Sequence, residues 1–286
     1  MVSQEQSLFG GATGYRLFTS VKYITYLLLF ANVFFFLAEE LGALEHTFVD
    51  GIAPGQIIQV FSATIDTGAW VILLLLFELE TSVLDDSRIR GPVKWSLHGV
   101  RLICSAAIVY AFTGYYAELV MLYNAVTLPA FDACASLDQG WSLLLDIDEY
   151  APLDAQNCLT VGSDAWRISG FDIVAAYPVL TDARYLAWVD VINSGTWILV
   201  VIVLEIEVRL QLRGQLSAAL MGGTRYLKFA LYSVLFACAA YWGVKGDFID
   251  FWDAALWLFA FIFIELNVFE WNYETTHGIE HEAANE

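Results

Sequence analysis

Residues 66–80 read DTGAWVILLLLFELE, an apolar stretch with carboxylates at both ends. The pattern returns in residues 193–207, NSGTWILVVIVLEIE, and in residues 253–267, DAALWLFAFIFIELN. Each copy has a tryptophan, with a short polar residue four positions before it, a glutamate eight positions after it and a second polar residue ten positions after it. Because carboxylates are costly in apolar surroundings, this recurrence indicates a structural or functional requirement.

The composition is that of a polytopic membrane protein. Of 286 residues, 58% are hydrophobic and only 16% are charged, and the mean hydropathy is +0.60. Soluble proteins carry charge on about a quarter of their residues. The net charge of −19 argues against nucleic acid as a partner, because phosphate backbones bind clustered Lys and Arg. The same acidity is typical of a high-salt habitat or of a solvated rim.

Six transmembrane helices are expected. Charge-free runs at 23–38, 102–117 and 229–244 each follow a basic residue, and each precedes one copy of the repeated pattern. The stretches that carry the pattern can span a bilayer only if their acids face protein or water. The expected spans are about 17–40, 56–82, 98–124, 184–210, 225–245 and 251–272.

The basic residues predict the orientation of these helices. Most Lys and Arg precede helices 1, 3 and 5, whereas the other connections hold few. The positive-inside rule then places both termini, including an acidic tail at 275–286, in the cytoplasm, and the 126–182 loop outside the plasma (inner) membrane. The expected fold class is all-α, a bundle of three helical hairpins within 1–125 and 183–274, with the pattern on the second helix of each hairpin.

The 126–182 loop is expected to form an extracytoplasmic cap, with short helices along the membrane. It holds nine acidic residues and one basic residue, and it is too rich in Trp, Leu and Ile for a flexible linker. Its two cysteines, Cys134 and Cys158, predict a disulfide on the outer side of the membrane. Such a bond would stabilise the loop by about 3 kcal/mol.

Helical geometry assigns the polar residues of the pattern to two faces. At about 100° per residue, the first and last polar residues of a copy share one face, about 21 Å apart along the axis, while the glutamate between them points away. The shared face carries Asp66 with Glu80, Asn193 with Glu207, and Asp253 with Asn267. The other face carries Glu78, Glu205 and Glu265.

Three such helices around one axis would form two polar rings separated by apolar side chains. The outer ring would consist of Asp66, Asn193 and Asp253, and the inner ring of Glu80, Glu207 and Asn267. Channels use acidic rings and hydrophobic constrictions to admit and gate cations. The remaining three glutamates would accept hydrogen bonds from tyrosines of neighbouring hairpins or carry protons. We therefore expect the protein to move a cation or protons along a path lined by these nine residues.

Two alternatives stay open, and both use the same carboxylates. A repeated glutamate can instead hold hairpin to hairpin, which would suit a non-catalytic structural or assembly subunit of a larger membrane complex. An intramembrane carboxylate metalloenzyme is the third hypothesis, although such sites depend on histidine and the chain has four.

The sequence leaves the chemistry of any bound group open. It specifies neither a metal nor a cofactor, and it contains no soluble-type catalytic motif, so an enzyme is the less favoured class. The expected partners are the lipid bilayer and either further copies of the chain or other membrane subunits.

Overall fold

The computed structural model describes residues 12–48, 51–80, 91–162, 164–212 and 218–263. The predicted site residues Glu265 and Asn267 and the predicted tail lie outside these ranges. Helices make up most of the described chain: α1 (Ala12–Thr47), α2 (Ile57–Val60), α3 (Ser62–Glu78), α4 (Pro92–Tyr123), α5 (Tyr177–Leu212) and α6 (Ala218–Lys245). Residues 248–263 are also helical and are called α7.

Four of these helices contain a segment long and apolar enough to cross a membrane. The segments are Arg16–Thr47, Pro92–Tyr123, Tyr177–Glu207 and Gly223–Lys245. Large apolar side chains on them are exposed, among them Leu27 at 66% and Leu102 at 72%. Such surfaces are unfavourable in water and suit contact with lipid, so the helices indicate a membrane protein.

A fifth candidate span is broken in the middle. The segments Pro54–Val60 and Ser62–Glu78 pass the same test together but are bent by 76°. At the bend, the carboxylate of Glu40 on α1 accepts hydrogen bonds from the backbone N–H groups of Ala63, at 2.7 Å, and Thr64, at 3.3 Å. A helix N-terminus has N–H groups without partners inside the helix, and a negative charge there is favourable. Glu40 therefore stabilises the new start of α3 that the bend creates.

The bend also depends on a close approach between α2 and α4. A Cβ atom on Gly114 of α4 would lie 2.6 Å from the carbonyl oxygen of Ile58 and 2.9 Å from Cβ of Ser62. Only glycine leaves room for the backbone of α2 at this point.

The segment between α4 and α5 contains a small β-sheet, so the all-α expectation, with short helices in the cap, is wrong for this part. Its strands are β1 (Val126–Thr127), β2 (Ser142–Leu144), β3 (Tyr150–Pro152), β4 (Ala165–Arg167) and β5 (Ile173–Ala176). They form one sheet in the order β1-β4-β5-β2-β3, in which only the β2–β5 pair is parallel. The predicted disulfide Cys134–Cys158 is confirmed, with Cα atoms 5.0 Å apart.

The cap is packed onto the ends of several helices. Leu144 and Ile173 of the sheet share a buried cluster with Leu122 of α4, Leu186 of α5 and Trp242 of α6. A polar contact adds α1, because the imidazole Nδ1 of His46 lies 2.9 Å from the hydroxyl of Ser142. The sheet is therefore held in place over the helices, and its loops can contribute to a site between them.

The close approach at Gly114 predicts that alanine destabilises the protein at this position of α4 but not at an open position of the same helix. We expect Gly114→Ala to destabilise the protein by about 1–3 kcal/mol, because the new methyl overlaps the α2 backbone. Gly99→Ala on the same helix is the matched control, since its Cβ would meet nothing within 4 Å, and alanine there should be neutral or stabilising by up to about 1 kcal/mol. Thermal unfolding in detergent measures both, and equal melting temperatures would contradict the close packing.

Candidate functional site

The three tryptophans of the repeated pattern meet in the interior. The ring centroid of Trp70 lies 6.3 Å from that of Trp197 and 6.2 Å from that of Trp257. Phe261 packs against Trp197 at 4.5 Å. Tilted and edge-to-face contacts at these distances are favourable for aromatic rings. We call Trp70, Trp197 and Trp257 the tryptophan cluster.

The polar residue that precedes each tryptophan lies on the cap side of this cluster. Asp66, Asn193 and Asp253 line one cavity of about 110 Å³, together with the tryptophan cluster. Four residues make about one helical turn, so each polar side chain lies one turn above its tryptophan on nearly the same face. The structure therefore brings together the three residues of the predicted outer ring.

Further acidic side chains surround the same cavity. They come from α1, α4, α5, α7 and the cap: Glu39, Glu40, Glu118, Asp148, Asp190 and Asp250. With Asp66 and Asp253 they make eight carboxyl groups, and among the described residues no Lys, Arg or His lines the cavity. We call it the acidic cavity.

Sequence reasoning missed these six acids, although two of them had a detectable signal. Asp190 and Asp250 each lie three residues before the first polar residue of their copy, so the pattern extends further in the second and third copies than in the first, which has Ala63 there. The other four lie at helix ends or in the cap, and only the folded chain brings them to the cavity.

Several polar atoms in and around the cavity lack hydrogen-bond partners. The amide of Asn32 donates to Asp253 at 2.7 Å, which leaves Oδ1 of Asn32 without a partner. Within the described residues, Oδ1 of Asp66, Oδ1 of Asn193 and the hydroxyl of Ser194 are buried and also make no hydrogen bond. Asp66 is 9% exposed and Ser194 is 3% exposed. Buried polar atoms normally have partners, so these acceptors are suited to a ligand or to water.

The cap contributes Asp148 to the cavity, and the pKa of this acid is raised. Burial raises the pKa of Asp148 to about 7, and the neighbouring charges of Asp247, Asp146 and Glu149 act in the same direction. Asp148 is therefore protonated in a substantial fraction of molecules near neutral pH.

Apolar side chains continue from the tryptophan cluster on the side away from the cap. Trp197 and Trp257 belong to a buried cluster that includes Val71 and Leu74 of α3 and Val200 of α5. Water and ions are excluded from such packing, so the acidic cavity ends at the tryptophans.

Three glutamates that follow the tryptophan in the first two copies form ion pairs with other helices, and we call them the inner acids: Glu78, Glu80 and Glu207. Glu78 of α3 accepts from Lys22 of α1 at 2.7 Å, from Tyr23 at 3.0 Å and from Tyr26 at 3.5 Å. The side chains of Lys22 and Glu78 are only 7% and 6% exposed. This pair fixes α1 to α3 in a buried environment.

Two further acids pair with the helix that follows them. Glu80 bonds to Arg101 of α4 at 2.6 Å, and Glu207 bonds to Lys228 of α6 at 2.8 Å. Acid and base are 21 residues apart in both pairs. The structure does not bring Glu80 or Glu207 to the acidic cavity, and Glu205 has an exposed side chain on α5.

The carboxylates do not converge on a metal-binding geometry. Across the part of the chain that the structure describes, no three His, Cys, Asp or Glu side chains are arranged to hold a metal ion. The acidic cavity instead distributes its acids around a wall that also carries aromatic rings.

Comparison with known proteins gives no further guidance, since no protein-family model, no curated protein and no solved structure matches the chain.

The buried pair predicts a strong effect of removing its cation. We expect Lys22→Met to destabilise the protein by about 3–5 kcal/mol, because Glu78 remains buried without its partner. Replacing both residues, with Lys22→Met and Glu78→Leu, should restore most of the loss. Lys245→Met is the control, since Lys245 pairs with Asp182 in an exposed position and its loss should cost at most about 1 kcal/mol. Thermal unfolding in detergent compares the three variants, and equal losses in the two single variants would contradict a structural role for the buried pair.

The raised pKa of Asp148 predicts a dependence of stability on pH. The folded protein holds this proton up to about pH 7, whereas an unfolded chain loses it near its ordinary pKa of 3.8. Between these values the folded state binds more protons, so stability should fall as the pH rises from 4 to 7. We expect the melting temperature to fall less over this range in Asp148→Asn than in the wild type, by at least about 2 °C. If the melting temperatures of the two proteins change with pH in parallel, the raised pKa of Asp148 is contradicted.

Proposed function

We propose that the protein moves a cation or protons across the membrane, and that the acidic cavity is the entry site on the capped side. The observation that carries this proposal is that each copy of the pattern contributes one polar residue to a cavity that, in the described part of the chain, has eight carboxyl groups and no basic residue. Buried carboxylates need protons or cations to offset their charge. A wall of this composition therefore attracts positive charge and repels anions.

The proposed topology has six transmembrane helices in three hairpins. The first hairpin is α1 with α2 and α3, the second is α4 with α5, and the third is α6 with α7. The excess of Lys and Arg in the N-terminal parts of α1, α4 and α6 and in the connections before α4 and α6 supports cytoplasmic termini and an outward-facing cap. The disulfide Cys134–Cys158 supports the same orientation, because such bonds persist in oxidising compartments outside the cytoplasm.

In this interpretation the tryptophan cluster is the closed gate of the path. It separates the acidic cavity from the side of the membrane where Glu80 and Glu207 lie. Hydrophobic constrictions block ions by excluding water, so transport requires the three rings to separate. Between transport steps, the predicted pathway residues Glu80 and Glu207 would stay bound in their ion pairs with Arg101 and Lys228.

A structural subunit is the second candidate, and the inner ion pairs favour it. Arg101–Glu80 and Lys228–Glu207 each join two hairpins, as expected of acids that hold hairpins together, and Lys22–Glu78 joins α1 to α3 within the first hairpin. This hypothesis explains the inner half of the pattern. It leaves the unpartnered acceptors of the acidic cavity without a role.

Flux measurements in proteoliposomes test the proposal. We expect wild-type protein to carry a proton, Na⁺, K⁺ or methylammonium current, and we expect Asp66→Asn and Asp253→Asn to reduce it at least about tenfold. Loss of one charged contact to the moving cation, worth about 1.5–3 kcal/mol, accounts for such a factor. Glu45→Gln is the control, because Glu45 is an exposed acid at the capped end of α1 that does not line the cavity.

The result that would overturn the proposal is equally specific. Absence of flux for all four ions, or flux unchanged in both aspartate variants, would reject transport through the acidic cavity. Correct folding of the variants is checked by their melting temperatures before reconstitution.

A further inference from the structure

The acidic cavity is lined by both carboxyl groups and aromatic rings, a combination that binding of an inorganic ion seldom needs. The carboxyl groups are those of the eight acids, and the aromatic rings are those of the tryptophan cluster, Tyr115, Tyr150 and Trp242. Aromatic faces attract cations, and the effect is strongest for tryptophan and for cations that shed water easily. Organic ammonium ions fit this description better than Na⁺ or Ca²⁺, which hold their hydration shells tightly.

The arrangement of the acids also differs from that of an inorganic cation site. Calcium takes six to eight oxygen ligands at about 2.3–2.6 Å, so its carboxylates must converge on one point. No such convergence of three acidic, His or Cys side chains occurs among the residues described. Dispersed acceptors suit a larger cation whose N–H groups or alkyl groups reach several walls.

Unpartnered acceptors mark where the charged end of such a ligand would bind. Asp66 and Ser194 line the cavity, and Oδ1 of Asp66 and the hydroxyl of Ser194 are buried and have no hydrogen bond to the described chain. Oδ1 of Asn193 is in the same state. All three lie within one turn of Trp70 or Trp197 along α3 and α5, so an ammonium group bonded to them would also contact the aromatic rings.

The size of the cavity sets an upper limit on the ligand. Its volume is about 110 Å³. A cavity of about 150 Å³ accommodates benzene, so this one has room for a cation of roughly four or five non-hydrogen atoms.

We propose that the acidic cavity is a binding site for a small organic ammonium ion, held by Asp66, Asn193 and Ser194 at its charged end and by the tryptophan cluster at its alkyl groups. This inference rests on the proposed function for its physiological meaning, since the bound cation would be the transported one. The binding itself is independent of transport.

Binding is measured on the purified full-length protein by calorimetry and by thermal shift at constant ionic strength. The probes are the chlorides of methylammonium, tetramethylammonium, Na⁺, K⁺ and Ca²⁺. We expect saturable binding of at least one ammonium ion, at least about tenfold tighter than that of K⁺, and a corresponding rise in melting temperature. Asp66→Asn and Trp257→Leu should each weaken this binding about tenfold or more, as expected for a desolvated cation–π contact and a charged hydrogen bond.

Two further variants separate binding from folding. Trp257→Phe keeps an aromatic ring with a weaker attraction for cations and should show intermediate affinity, even where leucine disrupts the fold. Trp95→Leu is the control, because Trp95 is 78% exposed and distant from the cavity lining, and it should bind as the wild type does.

The outcomes distinguish this inference from the proposed function. Binding of K⁺, Na⁺ or Ca²⁺ that equals or exceeds that of both ammonium ions would overturn the inference, as would unchanged ammonium affinity in Asp66→Asn and Trp257→Phe. If inorganic cations or protons are transported while the ammonium ions do not bind, the inference fails and the transport proposal stands. If an ammonium ion binds as described and nothing is transported, the inference stands and the transport proposal fails.

Discussion

A carboxylate buried among apolar helices must have its charge compensated, and this constraint organises the whole protein. The repeated pattern places one polar residue before each tryptophan and acids after it, and the two positions meet the constraint in different ways. Of the acids after the tryptophan, Glu78, Glu80 and Glu207 pair with cations on neighbouring helices. The residues before the tryptophan meet in a cavity that no basic residue of the described chain lines.

The bend between α2 and α3 lets the first copy of the pattern reach this cavity. It requires a carboxylate at the new helix start, supplied by Glu40, and a position on α4 without a side chain, supplied by Gly114. Glu40 lines the cavity as well, so one side chain supports the local backbone and contributes to the site. The geometry of the cavity thus depends on the contact between α1 and α3 that the buried Lys22–Glu78 pair also stabilises.

Periodicity, charge and the two cysteines of the loop were enough to predict the long apolar helices and the disulfide. The shared helical face accounts for the meeting of Asp66, Asn193 and Asp253, because the same offset from three packed tryptophans leads to one place. The β-sheet of the cap could not be predicted in the same way, since its strands have only two to four residues and show no usable alternation. The ion pairs of Glu80 and Glu207 join separate helices, so their partners depended on packing that a helical projection does not contain.

The acids after the tryptophan and the polar residues before it differ in how far their side chains have ion-pair or hydrogen-bond partners. A protein that used its acids only to join helices would gain most from pairing all of them, because an unpaired buried carboxylate costs several kcal/mol by order of magnitude. The inner acids Glu78, Glu80 and Glu207 follow this rule. Asp66 does not, since it is buried, lines the acidic cavity and keeps its Oδ1 without a hydrogen bond to the described chain. Such an arrangement is favourable when a proton, water or a cation occupies the cavity, and exchange of that occupant would be the elementary step of the proposed transport.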